Sequence, residues 1–286
     1  EVLFRRIDPA TRRIAADAEH VGSPWEETPV GDWSVEIRRP TFATLALLAR
    51  VGSERGEDQV LLDVSAERTA GEPGMVLVSA GRVRLGAAEA AGGLHEEECD
   101  VAPFLLDACE VTNEEYARAV AAGAVPSPPH WAGPAPTEAI LRQPVVLVTW
   151  GEASAYAAWR GKRLPTDREW ERAGRWFDRR AFPWGNDPSD VAANAGGTAG
   201  PAAVGSHPED RSPEGAFDLA GNVLEWTASE WSDPRYPDGR VVRGCSYAMK
   251  RRLGHHFLEH LATRRVESAG SRREFLGFRC ARDVPR

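Results

Sequence analysis

The apolar positions of this chain follow two different patterns, which divide it near residue 70. In the first part, short apolar runs at residues 33–37, 44–48 and 59–64 alternate with turn residues, and this pattern is typical of short β-strands. The alanine- and leucine-rich residues 41–50 are also compatible with a helix. We therefore predict a small β-rich N-terminal domain over residues 1–70 and a second domain over residues 71–286.

The second part carries helix signals. Two Thr-x-x-Glu sequences, at residues 112–115 and 166–169, have the spacing of a capping box at a helix start. Residues 152–160 predict a third helix, which Gly161 ends. Residues 181–244 show almost no helical periodicity and are rich in Gly, Pro and Asp. Short helices separated by long loops predict an α+β fold that buried aromatic side chains or bound cations make rigid.

Composition narrows the class of protein. The 286 residues are 42% hydrophobic and carry a net charge of −8. The apolar fraction is that of a globular protein, and no run of eighteen apolar residues is present to span a membrane. A dedicated nucleic-acid binder needs a basic stripe, so the acidic balance argues against a nucleic-acid partner.

The four cysteines are Cys99, Cys109, Cys245 and Cys280. Their spacing assigns no disulfide and contains no Cys-x-x-Cys pair for zinc. We expect reduced thiols, which favours a reducing compartment such as the cytoplasm.

Eight sequence blocks in the second part resemble the formylglycine-generating-enzyme (sulfatase-modifying factor) family in both content and order. They are residues 72–81, 110–113, 144–150, 161–171, 183–185, 221–226, 243–247 and 276–281. The resemblance implies a loop-rich α+β domain of C-type-lectin-like architecture over residues 71–286. Residues 23–37 are similar to PEGA-type β-domains, which carry a Thr-Pro turn before a strand.

The copper site of the catalytic family members is not matched. Those enzymes oxidise a substrate cysteine with a copper ion held by two cysteine thiolates, since soft Cu(I) needs soft ligands. Alignment from residues 246–247 places Met249 and Gly254 at the two thiolate positions. No cysteine lies between Cys245 and Cys280. The resemblance therefore implies a chain without the catalytic pair, and we expect no copper.

A metal-dependent oxidoreductase with atypical copper or iron ligands stays an alternative. Iron-dependent sulfoxide synthases of the family hold iron on histidines of an extra helical domain, whereas the first seventy residues here contain only His20. His256 and His260, four residues apart, would share one helix face. Glu259 or Glu267 would then be the third ligand.

A non-catalytic ligand-binding protein is the preferred function. Variable proteins of diversity-generating retroelements share this fold and display the corresponding segment, residues 247–275 here, as a ligand surface. From residue 251 to residue 275, randomised AAC codons could encode every residue except Glu259, Glu267 and Glu274. The arginines of this segment suit a carboxylate-bearing ligand because guanidinium offers a planar pair of donors. We expect a protein or peptide partner.

The residues predicted to bind the ligand lie in this segment and in the loop before residue 243. They are Tyr247, Met249, Arg251, Arg252, His255, His256, Phe257, His260, Arg264, Arg265 and Trp231. The same scaffold would also serve as a regulatory or sensor module of a larger signalling protein.

A calcium site is implied at residues 218–225, where a turn supplies the oxygen ligands that a hard cation needs. By resemblance the ligands are the side chains of Asp218 and Glu225 and the carbonyl groups of Ala220, Gly221 and Val223. In the alternative interpretation, Asn222 and Glu225 only bridge loops by hydrogen bonds.

Ten tryptophans are a high count for this length. Four of them lie in the family blocks and Trp159 stands two residues before one, and we expect these five to fill the core beneath the loops: Trp150, Trp159, Trp170, Trp184 and Trp226. Trp231 and Tyr236 are expected to line a pocket.

Overall fold

The computed structural model describes residues 73–87, 96–249 and 260–284, together with Thr11 and the backbone of four N-terminal strands. These strands are β1 (Val2–Arg6), β2 (His20–Val21), β3 (Gly31–Ile37) and β4 (Leu45–Val51). They form one antiparallel sheet in the order β2-β1-β3-β4.

Two of the predicted apolar runs, residues 33–37 and 44–48, overlap β3 and β4. The helical alternative for residues 41–50 is wrong from Leu45 onward, because pairing with β3 extends this stretch. The run at residues 59–64 lies outside the described residues, and the division into two domains at residue 70 stays a prediction.

The rest of the chain contains three α-helices, a 3₁₀ helix (Glu138–Ile140) and nine short strands among the described residues. The helices are α1 (Asn113–Ala121), α2 (Trp150–Trp159) and α3 (Asp167–Arg175). The first four strands are β5 (Met75–Val78), β6 (Gly81–Leu85), β7 (Glu97–Val101) and β8 (Phe104–Asp107). The others are β9 (Leu224–Glu230), β10 (Gly239–Arg243), β11 (Arg265–Ser268), β12 (Leu276–Gly277) and β13 (Ala281–Asp283).

All three helices begin at a reciprocal capping box. The boxes at residues 112–115 and 166–169 confirm the prediction, and each satisfies backbone N–H groups that the first turn leaves without a partner. Thr149 and Glu152 form a third box that starts α2 two residues before the predicted bound. Gly161 follows α2 with φ of 66°, the left-handed conformation expected of a glycine that ends a helix.

The strands form three small sheets around the helices. The order β11-β10-β9-β12 defines the largest, in which β12 pairs parallel to β9 and the other pairs are antiparallel. The sheet β13-β8-β5 and the hairpin β6-β7 complete the set. An aromatic cluster links α1, α2 and the segment that follows β12. The ring centroids of Tyr116 and Phe278 each lie 5.4 Å from that of Tyr156. This mixed α+β architecture confirms the predicted class.

The tryptophan prediction is confirmed for three of five positions. Trp170 and Trp226 are fully buried and Trp184 is 9% exposed. Trp150 is half-buried, with the guanidinium of Arg240 at 4.1 Å from its ring centroid. The prediction is wrong for Trp159, which is 41% exposed at the last position of α2. Two residues correspond to about 200° around a helix, so Trp159 points away from the face that buries Ala157.

Buried arginine–carboxylate pairs connect the loops to this framework. Of the pairs that are nearly inaccessible to solvent, three are distant in sequence: Arg172–Glu214, Arg243–Glu171 and Arg279–Glu225. Each joins segments that are far apart in sequence and removes a charge that would be costly to bury alone. Among the residues that the structure describes, no helix has the length and apolar character needed to cross a membrane.

Candidate ligand-binding surface and cation site

Both flanks of residues 250–259 are fixed to loops. On one side, the backbone N–H of Tyr247 donates to the carbonyl of Asn222 at 2.9 Å, and its carbonyl accepts from the N–H of Gly197 at 2.8 Å. On the other side, the N–H of Leu261 donates to the carbonyl of Ala181 at 2.9 Å. The described residues on both sides of 250–259 are therefore held to the scaffold.

Arg243, the last residue of β10, holds the second of these flanks. Its buried guanidinium donates to Asp167, to Glu171 at 2.6 Å, and to the carbonyls of Leu261 and Thr263 at 3.1 and 3.3 Å. Burial alone would lower the pKa of Arg243, but the two carboxylates raise it above its usual value. The charged guanidinium of Arg243 thus connects α3 to residues 261–263.

Two of the predicted ligand residues, Trp231 and Arg264, lie together. The guanidinium of Arg264 is 5.4 Å from the centroid of the Trp231 ring, within the range of a cation–π contact. Its Nη2 lies 2.7 Å from a carboxylate oxygen of Asp167. Among the described residues its buried Nε has no hydrogen-bond partner. Burial lowers the pKa of Arg264, although Asp167 acts in the opposite direction.

A cavity of about 560 Å³ opens beside this pair. Its lining residues are all polar or charged and come from four parts of the chain: Glu96, Glu97, Thr166, Asp167, Arg168, Ser229 and Arg264. Sequence reasoning missed this cavity. Asp167 is read from the sequence as a helix-start residue, and no pattern signals that Ser229 lies close to it.

A second group of predicted residues, Tyr247, Met249 and Arg265, lies around the end of β10. The hydroxyl of Tyr247 donates to the carbonyl of Glu274 at 3.4 Å, and burial raises the pKa of this tyrosine. Arg265 donates to the carbonyl of Gly244 at 2.7 Å. Arg264 and Arg265 are adjacent in sequence but bind different partners, so the predicted residues fall into two groups.

The sulfur atoms of Met249 and Cys245 lie 3.7 Å apart. Cys245 is buried and Met249 is half-buried. None of the four cysteines, all of which the structure describes, is in a disulfide.

His260 is the one predicted histidine that falls within the described ranges. Its Nδ1 accepts from the N–H of Ala262 at 3.0 Å, and its ring lies 6.2 Å from that of Phe182. The other predicted ligand residues of the segment lie outside the described residues: Arg251, Arg252, His255, His256 and Phe257. The predicted pairing of His256 with His260 at a metal therefore stays a prediction.

The predicted calcium turn is compact. Asp218 is buried with φ of 58°, and its Oδ2 accepts from the N–H of Gly205 at 2.6 Å. A Cβ at Gly221 would lie 2.8 Å from the backbone nitrogen of Asn194, so only glycine allows the two loops to approach this closely. Asn222 bridges loops by hydrogen bonds, as the alternative interpretation expects. Its Oδ1 accepts from the side-chain amide of Asn194 and from the N–H of Ala202.

Glu225 does not fit the ligand role that the resemblance implies. Its Oε1 accepts from Nη2 of Arg279 at 2.7 Å, and its Oε2 accepts from Nε of Arg279 at 2.7 Å and the indole of Trp170 at 2.8 Å. A carboxylate has about four lone-pair positions, and three are used. Among the described residues, no group of three His, Cys, Asp or Glu side chains is arranged to hold a metal. Calcium binding by this set stays a prediction.

Comparison with known proteins gives the family. The sulfatase-modifying factor enzyme 1-like domain matches residues 62–284. The mouse protein named inactive C-alpha-formylglycine-generating enzyme 2 is 38% identical over 51% of this chain and 51% of its own length. The hercynine oxygenase of Mycobacterium tuberculosis is 43% identical over 38% of this chain and 30% of its own length. The chain thus spans about half of the first relative and about a third of the second.

Solved structures agree on the fold. PvdO from Pseudomonas aeruginosa superposes with a TM-score of 0.60 at 24% identity, covering 75% of this chain and all of that one. The Treponema denticola variable protein 1 superposes with a TM-score of 0.58 at 22% identity, covering 73% of this chain and 95% of that one. These neighbours confirm the C-type-lectin-like architecture of the formylglycine-generating-enzyme type. Because the domain match covers more than half of the 286 residues, the chain belongs to the sulfatase-modifying factor enzyme 1-like domain family.

Proposed function

We propose that this chain is a non-catalytic ligand-binding member of its family, with a binding surface built from residues 247–275 and neighbouring loops. The observation that carries the proposal is the loss of both copper-thiolate positions, which are Met249 and Gly254, from an otherwise intact set of family blocks. Cys245 is the one cysteine near this position, and it is buried. A lone thiolate does not supply the soft two-thiolate site of the catalytic members.

One of the similar proteins supports this function. The mouse relative at 38% identity is named as an inactive enzyme. The Treponema protein is named as a variable protein, although at 22% identity its likeness supports the fold alone. The composition of residues 251–275 is compatible with diversification by adenine-directed mutagenesis, and we include a diversified retroelement protein in the proposal.

The pair formed by Trp231 and Arg264 is the best-defined part of the proposed surface. Of the acids around the adjoining cavity, Asp167 already pairs with Arg243 and Arg264, and Glu97 pairs with Arg168 at 2.8 Å. Arg264 lines this cavity with 15% of its side chain exposed, whereas its Nε, which has no acceptor among the described residues, is buried. A carboxylate of a peptide ligand would accept from the guanidinium of Arg264, and the indole of Trp231 would supply apolar contact.

The experiment selects peptides from a displayed random library on the wild-type protein and measures their affinity for variants. We expect Trp231→Ala and Arg264→Ala to weaken binding of the selected peptides at least tenfold. Arg118→Ala removes an exposed arginine on α1 that pairs with Glu114, and serves as the matched control. Its affinity should equal that of the wild type.

Two results would contradict the proposal. The first is a selection that enriches no peptide above a family domain with an intact copper pair. The second is peptide binding that neither Trp231→Ala nor Arg264→Ala weakens.

An oxidoreductase with atypical ligands is the second candidate, and the sulfur pair favours it. Two sulfur atoms bound to one ion at about 2.3 Å with a tetrahedral angle lie roughly 3.8 Å apart, close to the 3.7 Å between Cys245 and Met249. A thiolate and a thioether are soft ligands that suit Cu(I). The likeness to a hercynine oxygenase also points to redox chemistry.

Metal analysis of protein purified without chelator distinguishes the two candidates. Stoichiometric copper that disappears in Cys245→Ala would favour the oxidoreductase. Copper and iron below a tenth of an equivalent in the wild type, on the order of a contaminant, would remove it.

A further inference from the structure

A second cavity, of about 370 Å³, is lined by different residues from the cavity beside Trp231 and Arg264. It lies where the start of α1, the end of α2 and the turn before β5 meet. Its volume falls within the range of small-molecule pockets, about 300–1,000 Å³. Four basic residues line it: Arg118, Arg142, Arg160 and Lys162.

Two of these four basic residues are already neutralised. The Nζ of Lys162 lies 2.7 Å from a carboxylate oxygen of Asp107, and both side chains are largely buried. Arg118 pairs at 2.8 Å with Glu114, one turn earlier on α1. These two pairs therefore add little net charge to the cavity.

The other two, Arg142 and Arg160, are exposed, and neither forms an ion pair with a carboxylate of the described residues. Most arginines in the described part of the chain do form one. Burial acts to lower the pKa of Arg160, but the hydroxyl of Tyr156 and the charges of Glu115 and Asp107 raise it above its usual value. Since guanidinium groups stay charged in proteins, both arginines offer charged donors to a ligand.

The two remaining acidic residues of the wall leave these arginines available. Glu115 caps α1, where its Oε2 accepts from the N–H and the hydroxyl of Thr112 at 3.0 and 2.9 Å. Glu110 is 2% exposed, so it presents almost no surface to a ligand. The accessible, unpaired charge of this cavity is thus positive, although the chain as a whole carries a net charge of −8.

Both arginines stand on backbone that hydrogen bonds hold in place. The carbonyl of Arg142 accepts from the N–H of Val204 at 2.9 Å, and the carbonyls at residues 141 and 143 accept from the first two N–H groups of α1, both at 3.0 Å. Arg160 is the C-cap of α2, and its N–H bonds back to the last turn of the helix. Binding groups on an ordered backbone lose less conformational entropy when a ligand binds.

We propose that this cavity binds a small molecule through a carboxylate or phosphate group, which the guanidinium groups of Arg142 and Arg160 hold. A guanidinium offers a planar fork of donors that matches both oxyanions, and its charge-assisted hydrogen bonds to them are stronger than neutral ones. The site is independent of the ligand-binding proposal, because it uses neither Trp231 nor any residue from 247 to 275.

The test titrates the full chain with inorganic phosphate and, separately, with succinate. Calorimetry measures binding at low ionic strength, because salt screens exposed charges. We expect at least one probe to bind at one site, and the probe that binds identifies the oxyanion. Arg142→Gln and Arg160→Gln should each weaken that binding about tenfold or more, since each removes a charged donor. Without probe, both variants should melt at the wild-type temperature, because neither side chain forms an ion pair in the described structure.

Two further variants complete the test. Arg142→Lys keeps the charge but removes the fork, and should bind the probe more weakly than the wild type and more tightly than Arg142→Gln. Arg82→Gln changes an exposed arginine of β6 outside the cavity and should keep the wild-type affinity. The proposal is overturned if neither probe binds up to millimolar concentration. It is also overturned if neither Arg142→Gln nor Arg160→Gln weakens binding, or if Arg82→Gln weakens it as much as they do.

Discussion

The pair Arg279–Glu225 should be among the most sensitive positions of the domain. Both side chains have no solvent exposure, and two hydrogen bonds of 2.7 Å join them. The substitution Glu225→Gln is nearly isosteric. It removes the one carboxylate charge that the buried guanidinium contacts directly and turns an amide N–H₂ group toward donors from Arg279 or Trp170.

The expected cost follows from the burial of this pair. Removing one partner of a buried ion pair destabilises a protein by about 3–5 kcal/mol, because the remaining charge stays uncompensated. The pair Arg240–Glu230 gives the matched comparison. Its N–O distance is similar, 2.9 Å, but the glutamate side chain is 78% exposed. Exposed pairs contribute about 0–1 kcal/mol, so Glu230→Gln should change stability little.

Urea unfolding followed by tryptophan fluorescence measures both free energies of unfolding. The experiment is done in chelator, so that no cation contributes to the difference. We expect Glu225→Gln to lower the free energy of unfolding by about 3–5 kcal/mol and Glu230→Gln by less than about 1 kcal/mol. Equal effects of the two substitutions would refute the view that buried guanidinium–carboxylate pairs hold the loops of this fold.

Three further outcomes are expected. Thr166→Ala removes the hydroxyl that accepts from the N–H of Glu169, and should lower the free energy of unfolding by about 1 kcal/mol in the same urea assay. Gly221→Ala places a Cβ 2.8 Å from the backbone nitrogen of Asn194 and should cost about 1–3 kcal/mol, whereas no loss would show that the loops can separate freely. Burial raises the pKa of Cys109 to about 12, so its thiol should react with a disulfide reagent at pH 8 far more slowly in the native protein than in denaturant, where all four thiols should titrate.

Local sequence signals predicted the helices well. A capping box uses the side chains of residues three apart, so the starts at residues 112 and 166 were visible in the sequence. The third box, formed by Thr149 and Glu152, has the same spacing. Its helix starts at Trp150, inside the block at residues 144–150, whereas the predicted helix began only at residue 152. The exposure of Trp159 could not be derived from the sequence, because exposure depends on the rotation of α2 against the core.

The sequence could not predict which charged residues, distant along the chain, form ion pairs in the fold. The sequence suggested Glu225 as a cation ligand, but its burial against Arg279, 54 residues later, assigns its oxygens to a guanidinium.

For the proposed binding surface, the sequence indicated individual residues and the structure added their arrangement. Trp231 and Arg264 were each predicted separately, and their stacking beside a cavity emerges from the structure. Asp167 contributes to that cavity because the N-terminus of α3 meets the end of β9 there, where the N–H of Asp167 donates to the hydroxyl oxygen of Ser229 at 3.0 Å.

The central claim is that the family scaffold here binds a ligand without oxidising one. The most direct measurement incubates the copper-treated protein with a cysteine-containing peptide in air and follows the cysteine by mass spectrometry. The account predicts that the peptide cysteine is not converted to formylglycine, with wild type and Cys245→Ala giving the same result as buffer. Formylglycine production by the wild type that disappears in Cys245→Ala would contradict it.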